Sequence, residues 1–452
     1  MTPRNLLMLA VLAATGVLLA GQVRQLLADP TVWPPDDFVE YWAAARLTLD
    51  GQNPFDESLL LPLQRSAGRD TSEAVMMWNP PWSLPFVLPL GLLPAREAQL
   101  LWLLVHLAVT GFCADRLWLL FGGDRARRWI GWAVAFGFLP TLFALNSGQI
   151  GPFLLLGAVL FLECARRWDR DPRWQYAAGA ATVLVAIKPH LAYLLWVGIA
   201  ADALARGRWR VIVGGALAGA ACAALPLALN PHVWHQYADA MGNCPPAQWA
   251  SPTIGTLLRL AFGERLFRLQ FVPLAVGLAW FAMYRWHKRA DWNWTEQLPL
   301  VLLVSFVTAP YGAWPFDMMV LLPAAFVMVA AGPNPPSPFP KKEGGGADSD
   351  KPRRSMGRYN VSPTGAAGVD SGGDAHKSHP SFLGKGDGGL GSSPFVLAGL
   401  VAVNVGCLAM NLLQTGSFWF LWVSPAVLAL YALHMRHVTR SPLALAHATV
   451  TA

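Results

Sequence analysis

Charge is what this chain has least of. Asp, Glu, Lys and Arg make up only 13% of its 452 residues, against 54% that are hydrophobic. A water-soluble globule carries about a quarter charged residues, so that class is excluded. Cysteine is scarce too. The five (Cys113, Cys164, Cys222, Cys244, Cys407) are scattered without CxxC spacing, and neither a disulfide framework nor a metal site follows from them. His232 and His235 have helical spacing but no third ligand type at a persuasive distance. No Walker motif occurs, and no GxGxxG follows a strand pattern, which disfavours a soluble enzyme working on nucleotide sugars. No internal repeat stands out, which weighs against a transporter built from inverted halves.

What the chain does have is apolar and aromatic sequence, with 21 Trp and a mean hydropathy of +0.37. These predict an all-α polytopic membrane protein. Apolar runs recur at residues 98–120, 129–145, 152–165, 211–229, 271–286, 298–310, 318–331, 395–413 and 418–434. Several fall short of the roughly 20 helical residues that a bilayer requires. Short or broken helices are tolerated where they border protein or a water-filled cavity. Residues 5–19, after Arg4, read either as the core of a cleavable signal peptide or, preferably, as a first spanning helix continuing to Leu27. The stretch 176–205 is interrupted by Lys188-Pro189-His190 and reads as two short helices meeting at one membrane face; one long helix kinked at Pro189 is the rival.

The net charge of +7 comes from Lys and Arg in short loops, where they set orientation rather than bind nucleic acid. With Arg4 inside, the basic segments 124–128, 166–173, 206–210, 285–289 and 436–440 all lie inside together, provided residues 82–93 do not cross as a separate span. About twelve crossings result, within a range of roughly ten to thirteen, with both ends cytoplasmic. The other face then receives an acidic first loop (28–81) holding interfacial helices, together with Asn146 to Gln149, Lys188 to His190, 230–265 and Tyr311 to Asp317. The expected division is a membrane core over 1–332, a low-complexity cytoplasmic insertion over 333–394, two C-terminal membrane helices over 395–436 and a cytoplasmic tail over 437–452. The insertion is rich in Gly, Pro and Ser and lacks apolar periodicity, as a silent linker does.

Candidate chemistry gathers on the extracytoplasmic side. Asp36-Asp37 opens an interfacial helix, Phe38-Val39-Glu40-Tyr41-Trp42. One reading makes a carboxylate there a helix cap, worth about 1 kcal/mol. The other makes it a general base, where a lipid-borne donor meets a water-side acceptor. Lys188 lies deep in apolar sequence, and a cation so placed is costly enough to suggest function, with a phosphate as its natural partner. His190 stands beside it. Gln149 reads as helix glue or as a hydrogen-bonding partner for a sugar. Asn53 sits in a turn, Gly51 to Asp56, and Asn79-Pro80-Pro81-Trp82 reads as a rigid approach to the membrane or the rim of a lipid portal. Trp314 and Asp317 belong to a loop that either lines a cavity or anchors at the interface.

In order along the chain, Asp37-Phe38 with Tyr41, Gly51 to Asp56, Asn79-Pro80-Pro81, Gly148-Gln149, Ile187-Lys188-Pro189 and Pro310 to Asp317 resemble glycosyltransferase family 87. That family comprises polyprenol-phosphate-dependent enzymes of the C-type membrane fold, whose best-known members are α-mannosyltransferases. The resemblance implies a hexosyltransferase of the cell inner (plasma) membrane with its active site facing outward. It would move a hexose, mannose by analogy, from a polyprenyl-phosphate sugar to a lipid or envelope glycan. It further implies that Asp37, with Asp36 as neighbouring rival, is the general base of an inverting displacement. Lys188 and His190 would meet the donor phosphate, and Tyr41, Asn53, Asn79, Gln149, Trp314 and Asp317 the substrates. Neither metal nor cofactor is required by that mechanism. The chain departs from the family where Trp314-Pro315-Phe316-Asp317 replaces a frequent His-Tyr pair and where Asn79 replaces an aromatic residue. The rival classes are a transporter or flippase of lipid-linked sugars, which would set charges facing one another at mid-membrane, and a non-catalytic scaffold, in which Asp37 would be replaceable.

Overall fold

A computed structural model describes residues 33–245, 249–330 and 394–440, together with residues 21, 24, 25 and 29. Most of the expected first span, nearly all of the insertion and the chain beyond residue 440 lie outside the described residues. Among those described, every regular element is helical. The expectation of an all-α protein is met at that level.

Among the described residues, five helices are long and apolar enough to cross a membrane: Ala95–Leu120, Trp209–Leu229, Leu266–His287, Pro394–Leu412 and Ser417–Val438. A sixth candidate is a bent pair. Residues 129–145 read in sequence as one apolar run, but Arg125–Gly137 and Leu139–Ser147 meet at 66°. The cause is local. Phe138 takes an extended conformation ahead of Pro140, and the freed Leu139 N–H donates to Asn404 Oδ1 at 2.8 Å. Three shorter apolar helices among the described residues are Gly151–Ala165, Trp294–Val307 and Pro315–Ala330. Residues 82–93 form two 3₁₀ segments, Pro81–Phe86 and Leu88–Leu92, each too short to span alone.

The elements that position the site are α1 (Phe38–Leu49), α2 (Glu57–Ser66), α3 (Ala95–Leu120), α4 (Arg128–Gly137), α5 (Leu139–Ser147), α6 (Gly151–Ala165), α7 (Arg173–Val185), α8 (Tyr193–Arg206) and α9 (Trp209–Leu229). The segment 176–205 takes the two-helix form, α7 and α8, broken at Ala186 to Ala192. Helix α9 shows Trp209, Val213, Leu217 and Leu225 on its outside, a face suited to lipid rather than water. On its inside, Gly214 meets the Tyr176 carbonyl and Gly179 of α7 meets the Val211 carbonyl. Small residues thus let two apolar helices approach backbone to backbone.

Helix α8 separates two polar clusters. At its C-terminal end, buried Asp202 accepts from Arg208 Nη1 at 2.8 Å and Trp294 Nε1 at 3.2 Å, with Arg285 Nη2 at 3.4 Å and Arg206 Nε at 3.6 Å. Two of the basic loops assigned to one side in sequence therefore converge on one carboxylate. The second cluster lies at the N-terminal end of α8, about 20 Å away at 1.5 Å per residue.

Candidate active site

The site begins where α1 begins. Asp36 lies in the left-handed region (φ 42°), an uncommon conformation for a residue other than glycine, and turns the chain into the helix. Asp37 occupies the N-cap position, yet its side chain makes no cap bond. Its Oδ2 accepts instead from Gln149 Nε2 at 2.9 Å, across 112 residues of sequence. The capping reading of this carboxylate is therefore replaced by a tertiary contact. Asp36 points elsewhere, toward Arg69 Nη1 at 4.0 Å with its side chain about half exposed.

Gln149 is brought there by Gly148. That glycine ends α5 in the left-handed conformation (φ 72°), and a Cβ on it would lie 2.6 Å from Phe38 Cβ. Only a glycine lets the α5–α6 turn settle on the first residue of α1, with Trp102 Nε1 donating to the Gly148 carbonyl at 2.7 Å. Gln149 Oε1 then accepts from Tyr41 Oη at 2.9 Å and from Lys188 Nζ at 3.3 Å. One buried amide thus joins the carboxylate to the cation.

Lys188 stands in the break between α7 and α8. Pro189 cannot donate a backbone hydrogen bond, so carbonyls at the end of α7 are freed. Trp82 Nε1 donates to the Ala186 carbonyl at 2.9 Å and Asn79 Nδ2 to the Ile187 carbonyl at 3.3 Å. The Asn79 to Trp82 motif is therefore the brace of the Lys188 turn. Lys188 Nζ binds Asp317 Oδ1 at 2.7 Å and lies 5.0 Å from the centre of the Phe316 ring. Asp317 also accepts from the Trp314 backbone N–H at 3.2 Å, and its side chain is fully buried. It holds the lysine from behind and does not face the cavity. An ammonium has three donors, two of which are engaged here, leaving one for a ligand.

His190 donates through Nε2 to the Gly312 carbonyl at 3.2 Å and packs against Tyr311. Burial, helped by the Lys188 charge, holds it neutral, with its pKa down to about 4. It carries no charge toward a phosphate at neutral pH.

Between these elements lies a cavity of about 190 Å³ whose polar walls include Glu40, Asn79, Gln149, Lys188 and His190, with Trp314 among its aromatic ones. A mostly apolar pocket with a few convergent polar groups is the usual form of a ligand site. The structure thus gathers Asp37, Tyr41, Asn79, Gln149, Lys188, His190, Trp314 and Asp317. It does not gather Asn53, whose Oδ1 accepts from the Phe55 N–H at 2.9 Å in a local turn, or Asp36. Sequence reasoning passed over Glu40. Its signal was its place one helical turn after Asp37 in a helix whose first two turns are otherwise apolar or aromatic.

Compared with known proteins, residues 78–310, just over half the chain, match the family model described as Glycosyltransferase family 87. Asn79, Gln149, Lys188 and His190 fall inside the match; Asp37, Tyr41, Trp314 and Asp317 lie outside it. No curated protein and no solved structure matches.

Proposed function

The chain belongs to glycosyltransferase family 87, and on that basis we propose that it transfers a hexose, mannose by analogy with the family, from a polyprenyl-phosphate sugar to a lipid or envelope glycan. It is a membrane glycosyltransferase. Donor, acceptor, the roughly twelve-crossing topology and an outward-facing site in the plasma membrane belong to the proposal. The observation that carries the site assignment is the bridge through Gln149. Asp37 and Lys188 are bound to the two ends of one buried amide, which sets a base and a cation on either side of Gln149, and Gln149 and Lys188 both line the cavity.

In this reading the acceptor hydroxyl gives its proton to Asp37 as its oxygen attacks the anomeric carbon. The bond from that carbon to the phosphate oxygen breaks, and the polyprenyl phosphate leaves with the bonding pair. The configuration inverts. Lys188 offers its remaining donor to the departing phosphate, and charge neutralisation at a leaving group in a water-poor site is worth several kcal/mol of barrier. Gln149, by donating to Asp37, keeps the carboxylate turned away from its cap position and toward the cavity-lining amide. Tyr41, donating to Gln149, fixes the orientation of that amide.

The test is transfer from synthetic polyprenyl-phosphate mannose into an envelope lipid extract by protein in nanodiscs. Asp37→Asn is expected to lose activity by at least about a hundredfold, the usual scale for general base catalysis. Asp36→Asn, removing an exposed pair at 4.0 Å, is expected to stay within about threefold of wild type. Undiminished transfer by Asp37→Asn would remove the base assignment; loss confined to Asp36→Asn would move it by one residue.

A further inference from the structure

Glu40 is the acidic side chain in the cavity wall, and the transfer chemistry gives it no task. It sits three residues after Asp37 on α1, one turn along the same face, and is 7% exposed. What remains accessible of it lines the same cavity as Gln149, Lys188 and Trp314. Among the described residues no Lys or Arg stands within ion-pair distance of it, because Lys188 is already paired with Asp317. Its charged neighbours are Asp37, Asp317 and Lys188, and the Tyr41 hydroxyl lies beside it. A third ionised carboxylate here would face two others with one cation shared among them.

We propose that Glu40 is a substrate-contacting residue whose carboxyl hydrogen-bonds a hydroxyl of the sugar ring held in this cavity, one helical turn from Asp37. This rests on the sugar-transfer reading of the same site. Burial, with the Asp37 carboxylate adding to it, pushes Glu40 up to about 8. At neutral pH it therefore carries one O–H donor and one carbonyl acceptor, the pair that a sugar hydroxyl uses when it both gives and takes a hydrogen bond. The two carboxyls at the start of α1 would then divide the work, with Asp37 taking the proton and Glu40 holding the ring. A glutamine at position 40 offers the same donor and acceptor without the ability to ionise. Alanine offers neither.

The experiment measures binding of octyl mannoside to the full chain in nanodiscs from about pH 6 to about pH 9, for wild type, Glu40→Gln and Glu40→Ala, beside the transfer assay. Glu40→Ala is expected to bind about tenfold more weakly, the scale of one good hydrogen bond. Wild type should weaken as pH rises through about 8, while Glu40→Gln holds its affinity across the range. Equal binding by Glu40→Ala and wild type would overturn the proposal, and so would the same alkaline loss in Glu40→Gln, or no binding by wild type. If the alanine variant does not fold, the pH profile of the glutamine variant decides alone. The binding pattern without any transfer from polyprenyl-phosphate mannose would sink the donor assignment and leave Glu40 standing.

Discussion

Replacing Lys188 with Met separates what this lysine does for the fold from what it does for the reaction. Its ammonium is 2.7 Å from Asp317 Oδ1, with the two side chains 11% and 0% exposed. Removing one partner of a buried pair costs about 3–5 kcal/mol, because the other charge is stranded. Protonation of the stranded carboxyl sets a ceiling on that cost. Ordinary Asp titrates near ~3.9, so neutralising Asp317 at about pH 7 takes roughly 3 pH units at about 1.4 kcal/mol each, or roughly 4 kcal/mol. At about pH 5 the same ceiling falls to roughly 1.5 kcal/mol, so the deficit should shrink on acidification. The sign follows from the folded variant binding a proton that the unfolded chain releases. Adding Asp317→Asn removes the stranded charge while keeping an acceptor for the Trp314 N–H. The double variant should therefore regain most of the stability but not the transfer, because no cation is left to meet the phosphate. Denaturant unfolding in detergent, read beside initial transfer rates, supplies both quantities. If transfer returns with stability in the double variant, Lys188 is a structural residue and the leaving-group role is wrong.

Two further substitutions probe how the site is held. Gln149→Leu takes the Gln149 acceptor from the fully buried Tyr41 hydroxyl and the donor from Asp37. It should cost about 1–3 kcal/mol in unfolding free energy and at least about tenfold in transfer rate; a variant of normal activity would show that the bridge is incidental. Gly148→Ala forces a side chain into the left-handed region, at about 1–2 kcal/mol, and onto Phe38 Cβ at 2.6 Å. A lowered melting temperature and lost transfer should appear together, and an unchanged melting temperature would contradict the close approach.

The breaks in the helices were legible in the sequence, because proline and glycine act on the backbone locally. Pro189 marked the gap that presents Lys188, and Gly148 marked the turn that presents Gln149. The 66° bend before Pro140 was not read, because Pro at the first turn of a helix is compatible with one continuous apolar run. Partners across the fold were harder. Lys188 was expected to await a phosphate and is found bound to Asp317, 129 residues away. No periodicity could announce this, since helices apolar on every side carry no stripe to show which face meets which neighbour. Glu40 was missed for a related reason. In a helix buried on nearly every face, one more acidic residue near its start looks like favourable dipole chemistry and nothing else.

The base, the bridging amide and the cation all stand at helix ends: Asp37 before α1, Gln149 between α5 and α6, and Lys188 between α7 and α8, while Asp317, which holds the lysine, lies in the 3₁₀ segment Pro315–Leu321. Irregular backbone at membrane depth survives only where protein or a watered cavity satisfies its freed groups. Asn79 and Trp82 do so for the carbonyls of residues 186–187, and Trp102 does so for that of Gly148. Those same bonds aim the reactive side chains, so substitutions at Asn79, Trp82 or Trp102 should cost stability and activity together. The Lys188–Asp317 pair differs, because its bond joins two side chains and its charge can be removed without freeing a backbone carbonyl. It is therefore the place in this site where chemistry and folding can be pulled apart, and the double variant is the substitution that does it.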